Sequence, residues 1–348
     1  MLSRYQQGFA RSDDTPTAKG ILRARNEDFQ VVEQLGFEPS GDGEHCFLKI
    51  RKTGENTESV ARLLARHAGV PARLVSYSGL KDRNAVTTQW FSVHLPKRNI
   101  IEWSVLNSPS IEVLQQAWHA RKLRRGVHKK NHFRIVLSNL KGEQPDIEAR
   151  LQQIKNEGVP NYFGEQRFGY DGNNLVVAEK LLSVGDKSIK RHQRGFYYSS
   201  ARSLLFNSIL SERVQANCWA SLVPGDLVMM DGSNSFFRFD EMDASINQRV
   251  AEKKLHPTAP LCGRGDKHSV TDALAFERKV LEDFPLICQG LEKAGLEMHR
   301  RALRLMVNNL AWKFENNADG SQLMMDFELN TGGFATSVLR EIIDYSSK

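Results

Sequence analysis

The chain opens on about twenty polar residues that read as a loose arm, and alternation of apolar and polar positions then sets in. Phe29-Gln30-Val31-Val32-Glu33 and Phe47-Leu48-Lys49-Ile50 follow the two-residue period of a strand. Val60, Leu63, Leu64 and Ala68 share one helical face, with Thr57 as N-cap and Gly69 as stop. Val75-Ser76-Tyr77, then Phe91, Val93 and Leu95, then Ile135 and Leu137, predict further strands, and Ile147, Leu151 and Ile154 mark a helix that ends near Gly158. Beyond Gly158 helical periods dominate, over 199–213 and 272–281. Strand character returns at Phe327-Glu328-Leu329, and Gly332-Gly333 leads into a helix over 335–343. This pattern predicts a β-rich domain made of both chain ends, with a second domain inserted between them.

Composition agrees with a globular chain. Of 348 residues 40% are hydrophobic and 26% charged, enough for one large core or two ordinary ones. No run approaches the roughly 18 apolar residues of a membrane span, and residues 1–19 lack the apolar stretch of a signal peptide. Cys46, Cys218, Cys262 and Cys288 are far apart and form no CxxC pair, and Cys262 with His268 is too little for zinc. The expectation is four reduced thiols in a cytoplasmic protein, with no metal site. No GxGxxG or P-loop sequence is present, so no nucleotide cofactor is expected.

Charge changes the picture more. The formal net charge is +7, which favours a polyanionic partner. Arg121, Lys122, Arg124, Arg125, Lys129, Lys130 and Arg134 fall in a stretch, 113–142, that contains no Asp or Glu. A second tract holds Lys187, Lys190, Arg191, Arg194 and Arg202, interleaved with Phe196, Tyr197 and Tyr198. Cations neutralise phosphates and aromatic faces stack on unpaired bases, although a solvated charged face has the same composition.

Two loops carry candidate chemistry. Gly79-Leu80-Lys81-Asp82-Arg83 sets one carboxylate between two cations, which favour the anion a nucleophile needs. Taken alone, the pentapeptide also fits a solvated turn. Gly332-Gly333-Phe334 brings backbone close to a ligand or a packed strand, with Phe334 either core or a stacking surface. A third segment, 159–169, is dense in aromatics and glycine and reads as structural packing at the domain junction.

Together with Asn26-Glu27-Asp28-Phe29-Gln30-Val31-Val32-Glu33, Lys130-Asn131-His132-Phe133, Pro160-Asn161-Tyr162-Phe163-Gly164-Glu165-Gln166-Arg167-Phe168-Gly169, Ser200-Ala201-Arg202-Ser203 and 334–341, these segments resemble the TruD family of tRNA pseudouridine synthases. The resemblance runs from about 20 to about 343. It implies an α+β fold: a pseudouridine-synthase-type catalytic domain with a mixed β-sheet and flanking helices over 1–157 and 307–348, and an inserted α/β TruD-specific domain over 158–306. It implies isomerisation of a tRNA uridine, uridine 13 of the D arm in the bacterial family, without a cofactor. Asp82 takes the place of the catalytic aspartate, and Phe29, Asn131 and Phe334 match substrate-binding positions. Lys81 and Phe133 lie in the same motifs as supporting residues. Arg121, Lys122, Arg124, Arg125, Lys129 and Lys130 are candidates for the RNA backbone. Leu80 and Asn84 stand where some relatives carry Gln and His, and Asn330 where a proline is common, which bears on local loop shape only.

The carboxylate would attack the sugar C1′, attack the base, or take a sugar proton, and the sequence does not choose among these. The expected partner is tRNA, with no membrane or protein partner implied and a monomer expected. The competing reading is a non-catalytic tRNA-binding or tRNA-folding protein, which the same cations and aromatics would serve. An anion placed among phosphate-binding groups speaks for the enzyme.

Overall fold

The computed structural model describes all residues except 186–187, 240–243, 266–268, 318–319 and 348, together with the side chains of Leu2, His192, Ala244 and Asn317. His268 and Lys187 thus lie outside the described residues. The fold is α+β, and the chain divides into two compact units.

The first unit holds residues 17–148, 307–332 and 343–348. Among the described residues ten strands form one sheet. Its central path runs Asn308–Asn317, Gly320–Asn330, Lys130–Lys141, Phe29–Gln34, Val86–His94, His45–Thr53, Ile111–His119. The sheet is mixed: Phe29–Gln34 pairs in parallel with Val86–His94, Lys19–Leu22 does so with Asp344–Ser347, and the other pairs are antiparallel.

The helix Thr57–His67 covers one face through Val60, Ala61 and Leu64, which pack on Leu48, Ile50, Phe91 and Val93. Its N-cap is Asn56 rather than Thr57. Thr57 instead turns inward, and its hydroxyl donates to Gln89 Oε1 at 2.8 Å. The stop comes where expected, at Gly69 with φ +65°.

The second unit holds residues 1–16, 149–306 and 333–342. A 25-residue helix, Arg191–Gln215, forms its spine. Its buried residues Ala201, Leu205, Phe206, Ile209 and Leu210 pack with Val280, Ile287 and Leu291. A four-stranded sheet accompanies it, built from Leu227–Met230, Phe236–Arg238, Leu255–Leu261 and His299–Ala302. The strand content here is larger than the helical periods alone suggest, because these strands are short.

The first sixteen residues are not a loose arm. Leu2–Gln6 is helical, Phe9 stacks on Tyr162 with centroids 5.4 Å apart, and the Tyr162 hydroxyl donates to the Ala10 carbonyl at 2.9 Å. The four cysteines are free. Among the described residues no helix is long and apolar enough to cross a membrane, and no group of three His, Cys, Asp or Glu could hold a metal ion.

Candidate active site

The strand Phe29–Gln34 alternates strictly, so Phe29, Val31 and Glu33 turn to the buried face. A carboxylate in such a row is costly unless paired. Glu33 is fully paired: Lys81 Nζ reaches Oε2 at 2.9 Å, and the backbone N–H of Trp90 donates to Oε1 at 3.2 Å. Register places Asn131 opposite Glu33, and Phe133 opposite Val31. Phe29, Glu33, Asn131 and Phe133 therefore share one face of the sheet.

The loop carrying Asp82 is held by its backbone. Lys81 N–H donates to Thr57 Oγ1 at 3.0 Å, and Gln89 Nε2 donates to the Gly79 carbonyl at 3.1 Å. Lys52, almost wholly buried, donates from Nζ to the carbonyls of Asp82 at 2.9 Å and Glu55 at 2.6 Å. Burial pushes the Lys52 ammonium down to about 8. Asp82 adjoins it and opposes that shift, while Lys81 adds to it. Arg83 Nε donates to the Gly54 carbonyl at 3.2 Å. With the main chain fixed on both sides, the Asp82 side chain projects while still partly exposed.

One oxygen of that carboxylate is engaged. Arg23 Nη2 donates to Asp82 Oδ2 at 2.5 Å, and the same guanidinium lies over the Phe29 ring, 4.0 Å from its centroid. Arg23 sits in the left-handed region at φ +61°, a conformation that costs a non-glycine residue and here aims its side chain at both partners. Among the described residues Asp82 Oδ1 has no hydrogen-bond partner. Phe29 is only 2% exposed, enclosed by Arg23 and by the edge of Phe133, whose centroid is 6.2 Å away. Phe133 stacks in turn on Phe327 at 5.4 Å. The Phe29 ring is thus available to a base only where Arg23 moves aside.

Asn131 belongs to a second buried chain. Its Nδ2 lies 3.3 Å from His128 Nε2, and His128 Nδ1 lies 2.5 Å from Ser78 Oγ. Burial, with Lys81 nearby, pushes His128 down to about 4, so the ring is neutral near pH 7. The 3.9 Å approach of His128 to Glu33 is therefore no ion pair, and Glu33 is already satisfied by Lys81. A neutral ring that accepts from Asn131 Nδ2 at Nε2 donates to Ser78 from Nδ1. Among the described residues Asn131 Oδ1 is left buried without a partner, an open acceptor beside the His128–Ser78 pair.

The basic tract splits. Arg121, Lys122, Arg124 and Arg125 are exposed, and among the described residues their side chains have no hydrogen bond or ion pair. Lys129 packs its stem against Gly36, which needs φ +81° there. Lys130 turns to the sheet face opposite Asn131, with Nζ 3.1 Å from Glu328 Oε2. In the second tract, Arg202 is occupied by the carbonyls of Leu261 at 2.8 Å and Glu297 at 2.9 Å.

Phe334 lies in the second unit, just before the helix Ala335–Ile342. It is partly exposed, meets the edge of Phe163 at 5.8 Å, and carries the Arg167 guanidinium 5.8 Å from its centroid. Gly164 is needed there, since a Cβ would stand 3.2 Å from the Phe334 ring and 2.6 Å from Thr336 Oγ1. Arg301 stands 4.1 Å from the centroid of Phe163, and burial, with Arg167 nearby, pushes it down to about 9.

The geometry adds Arg23, Glu33, Lys52, Ser78 and His128 to the residues legible in the sequence. Only Glu33 carried a signal, as an acid at an inward position of an alternating strand. The others are brought to the site by long-range packing.

The fold and this face define a mixed-sheet α+β protein with one arginine-clamped aspartate on a buried polar network. The family model described as tRNA pseudouridine synthase D (TruD) matches residues 9–187 and 184–342. The tRNA pseudouridine synthase D of Methylococcus capsulatus is 47% identical over 339 residues, 96% of this chain and 95% of the relative. That of Aeromonas salmonicida is 48% identical over 328 residues, covering 94% and 92%. The crystal structure of the Methanosarcina mazei protein assigned as tRNA pseudouridine synthase D has the same fold, with a TM-score of 0.74 at 22% identity over 97% of each chain. The chain belongs to the TruD family.

Proposed function

We propose that this protein is a tRNA pseudouridine synthase, that Asp82 is its essential carboxylate, and that its target is uridine 13 of the D arm. The observation that carries the reading is the state of Asp82, with Oδ2 held by Arg23 and Oδ1 without a hydrogen-bond partner among the described residues. Family membership supports the reaction class, and uridine 13 is proposed because the motifs resemble those of the bacterial family.

The isomerisation breaks N1–C1′, turns the uracil, and joins C5 to C1′. The C5 proton is lost and N1 gains one, so atoms and electrons balance without a second substrate. The uridine must leave its stack to reach a side chain. Asp82 Oδ1 is the oxygen available to the sugar or the base, and Arg23 keeps the other oxygen fixed. Asn131 Oδ1 is a pre-formed acceptor for a uracil N–H, and its burial makes an unfilled site unfavourable. Phe29 and Phe133 form the aromatic wall on the same face, and Phe334, in the second unit, is a substrate-binding candidate by the likeness of its motif. Arg121, Lys122, Arg124, Arg125 and Lys129 are the candidate cations left for phosphates.

The test is to incubate unmodified tRNA transcripts with the purified protein and map pseudouridine at single-nucleotide resolution. Pseudouridine at position 13 and nowhere else in the D arm supports the full reading. A different position corrects the target, and no pseudouridine in any transcript overturns the activity.

A further inference from the structure

The segment 121–127 walls a pocket of about 260 Å³ that shares no residue with the Asp82 cluster. Phe37, His119, Leu123 and Val127 supply its apolar walls. Phe37 is 36% exposed and Val127 43%, and both face this hollow, an arrangement that leaves apolar surface wet unless something covers it. The Phe37 and His119 rings lie 5.3 Å apart at 34°. His119 Nδ1 accepts the backbone N–H of Ser40 at 3.1 Å. Burial, with Arg121 nearby, lowers the basicity of the His119 ring, and a neutral ring that accepts at Nδ1 carries its proton on Nε2.

Arg121, Lys122 and Arg124 also line the pocket. Their side chains have no hydrogen bond or ion pair with any described residue. An aromatic slot edged by uncompensated cations matches a planar base attached to an anionic backbone. The volume lies below the roughly 300–1,000 Å³ of sites that enclose a whole small ligand, which suits a single base.

We propose that this pocket seats an unstacked base of the RNA substrate, other than the uridine being isomerised, with its adjoining phosphates on Arg121, Lys122 and Arg124. The inference rests on the reading that RNA is the substrate. A flipped uridine and a second captured base would together fix the register of the RNA on the sheet unit, so the pocket contributes to the choice of position.

The experiment is a binding cycle with unmodified tRNA transcript. Phe37→Ala should raise Kd by between about five-fold and about a hundred-fold. The factor should be the same at every salt concentration, because no phosphate contact is lost. Phe37→Tyr should bind as the wild type does. Arg124→Ala should instead flatten the log–log salt slope by about 0.9 on duplex or about 0.7 on single strand. Transcripts with one abasic position each then locate the base. At one position the wild type should lose the Phe37→Ala factor, and Phe37→Ala should lose nothing further. Should Phe37→Ala fail to fold, Val127→Asn at an exposed wall position replaces it in the same cycle. Wild-type binding by Phe37→Ala, or additivity at every abasic position, overturns the pocket while wild-type isomerisation stands. A wild-type protein that neither binds nor isomerises tRNA would instead overturn the functional reading beneath it.

Discussion

Arg23 Nη2 stands 2.5 Å from Asp82 Oδ2 while its guanidinium rests on the ring of Phe29, so one side chain orients the carboxylate and covers the aromatic wall. Arg23→Gln keeps a hydrogen-bonding group but loses the charge and the planar stack. It is expected to lower kcat by about a hundred-fold, the scale of a small misplacement of a reacting group. The Kd for tRNA should stay near the wild-type value, and Arg23→Lys should recover part of the loss. Unchanged kcat in Arg23→Gln would show that the clamp is incidental.

The buried pair Glu33–Lys81 makes a stability prediction. Removing one partner leaves a buried charge uncompensated, at a cost of about 3–5 kcal/mol. Glu33→Leu and Lys81→Met should each lower the denaturation midpoint strongly, whereas the double variant should recover much of it. Activity should not return with stability, because the double variant still lacks the side-chain tie from Lys81 to Glu33 that joins the Asp82 loop to the strand Phe29–Gln34. Additive losses in urea titrations would mean that the two side chains are not coupled.

How much of this was legible in the sequence depends on distance along the chain. The strand Phe29–Gln34, the helix after Thr57 and the loop around Asp82 are visible because each is set by its own period or turn residues. The strands Asn308–Asn317 and Gly320–Asn330 were visible only at 327–329, since tertiary pairing with Lys130–Lys141 overrides their mixed composition. Arg23 lies 59 residues before Asp82, and no local pattern points from one to the other. The run 119–134 reads in sequence as seven equivalent cations. The sheet sorts them, because alternation sends Lys130 and Arg134 to Glu328 and Asp326 while 121–125 stay in a loop. Phe29 reads equally as a base-stacking ring or as core, and its 2% exposure beneath Arg23 shows how one residue comes to look like both.

His128 gives a pH signature. Its folded value near 4 lies below the ordinary histidine value of 6.5, so between those limits the unfolded chain binds more protons. The contribution is fully present above pH 6.5 and is lost as pH falls towards 4, at most on the order of 3 kcal/mol. His128→Gln should therefore show a flatter decline in unfolding free energy across that window. An identical decline in the two proteins would mean that the ring titrates in the native state as it does in the unfolded chain.

The cations at 124 and 125 should act on affinity alone. Replacing both Arg124 and Arg125 with Ala should raise Kd for tRNA at physiological salt and flatten the salt slope by about 0.9 per lost duplex contact. Single-turnover isomerisation at saturating enzyme should stay near the wild-type rate. An unaltered slope would mean a solvated face, and the RNA path would then be sought along 190–202.

Asp82→Asn puts the central claim to its most direct test. The substitution preserves shape and the backbone anchors from Lys52, and removes the negative charge and most of the nucleophilicity. The measurement is single-turnover pseudouridine formation at saturating enzyme, read beside filter binding across a salt series. The account predicts tRNA binding with an unchanged slope and no pseudouridine formed. Isomerisation by Asp82→Asn within a few-fold of the wild-type rate would contradict it.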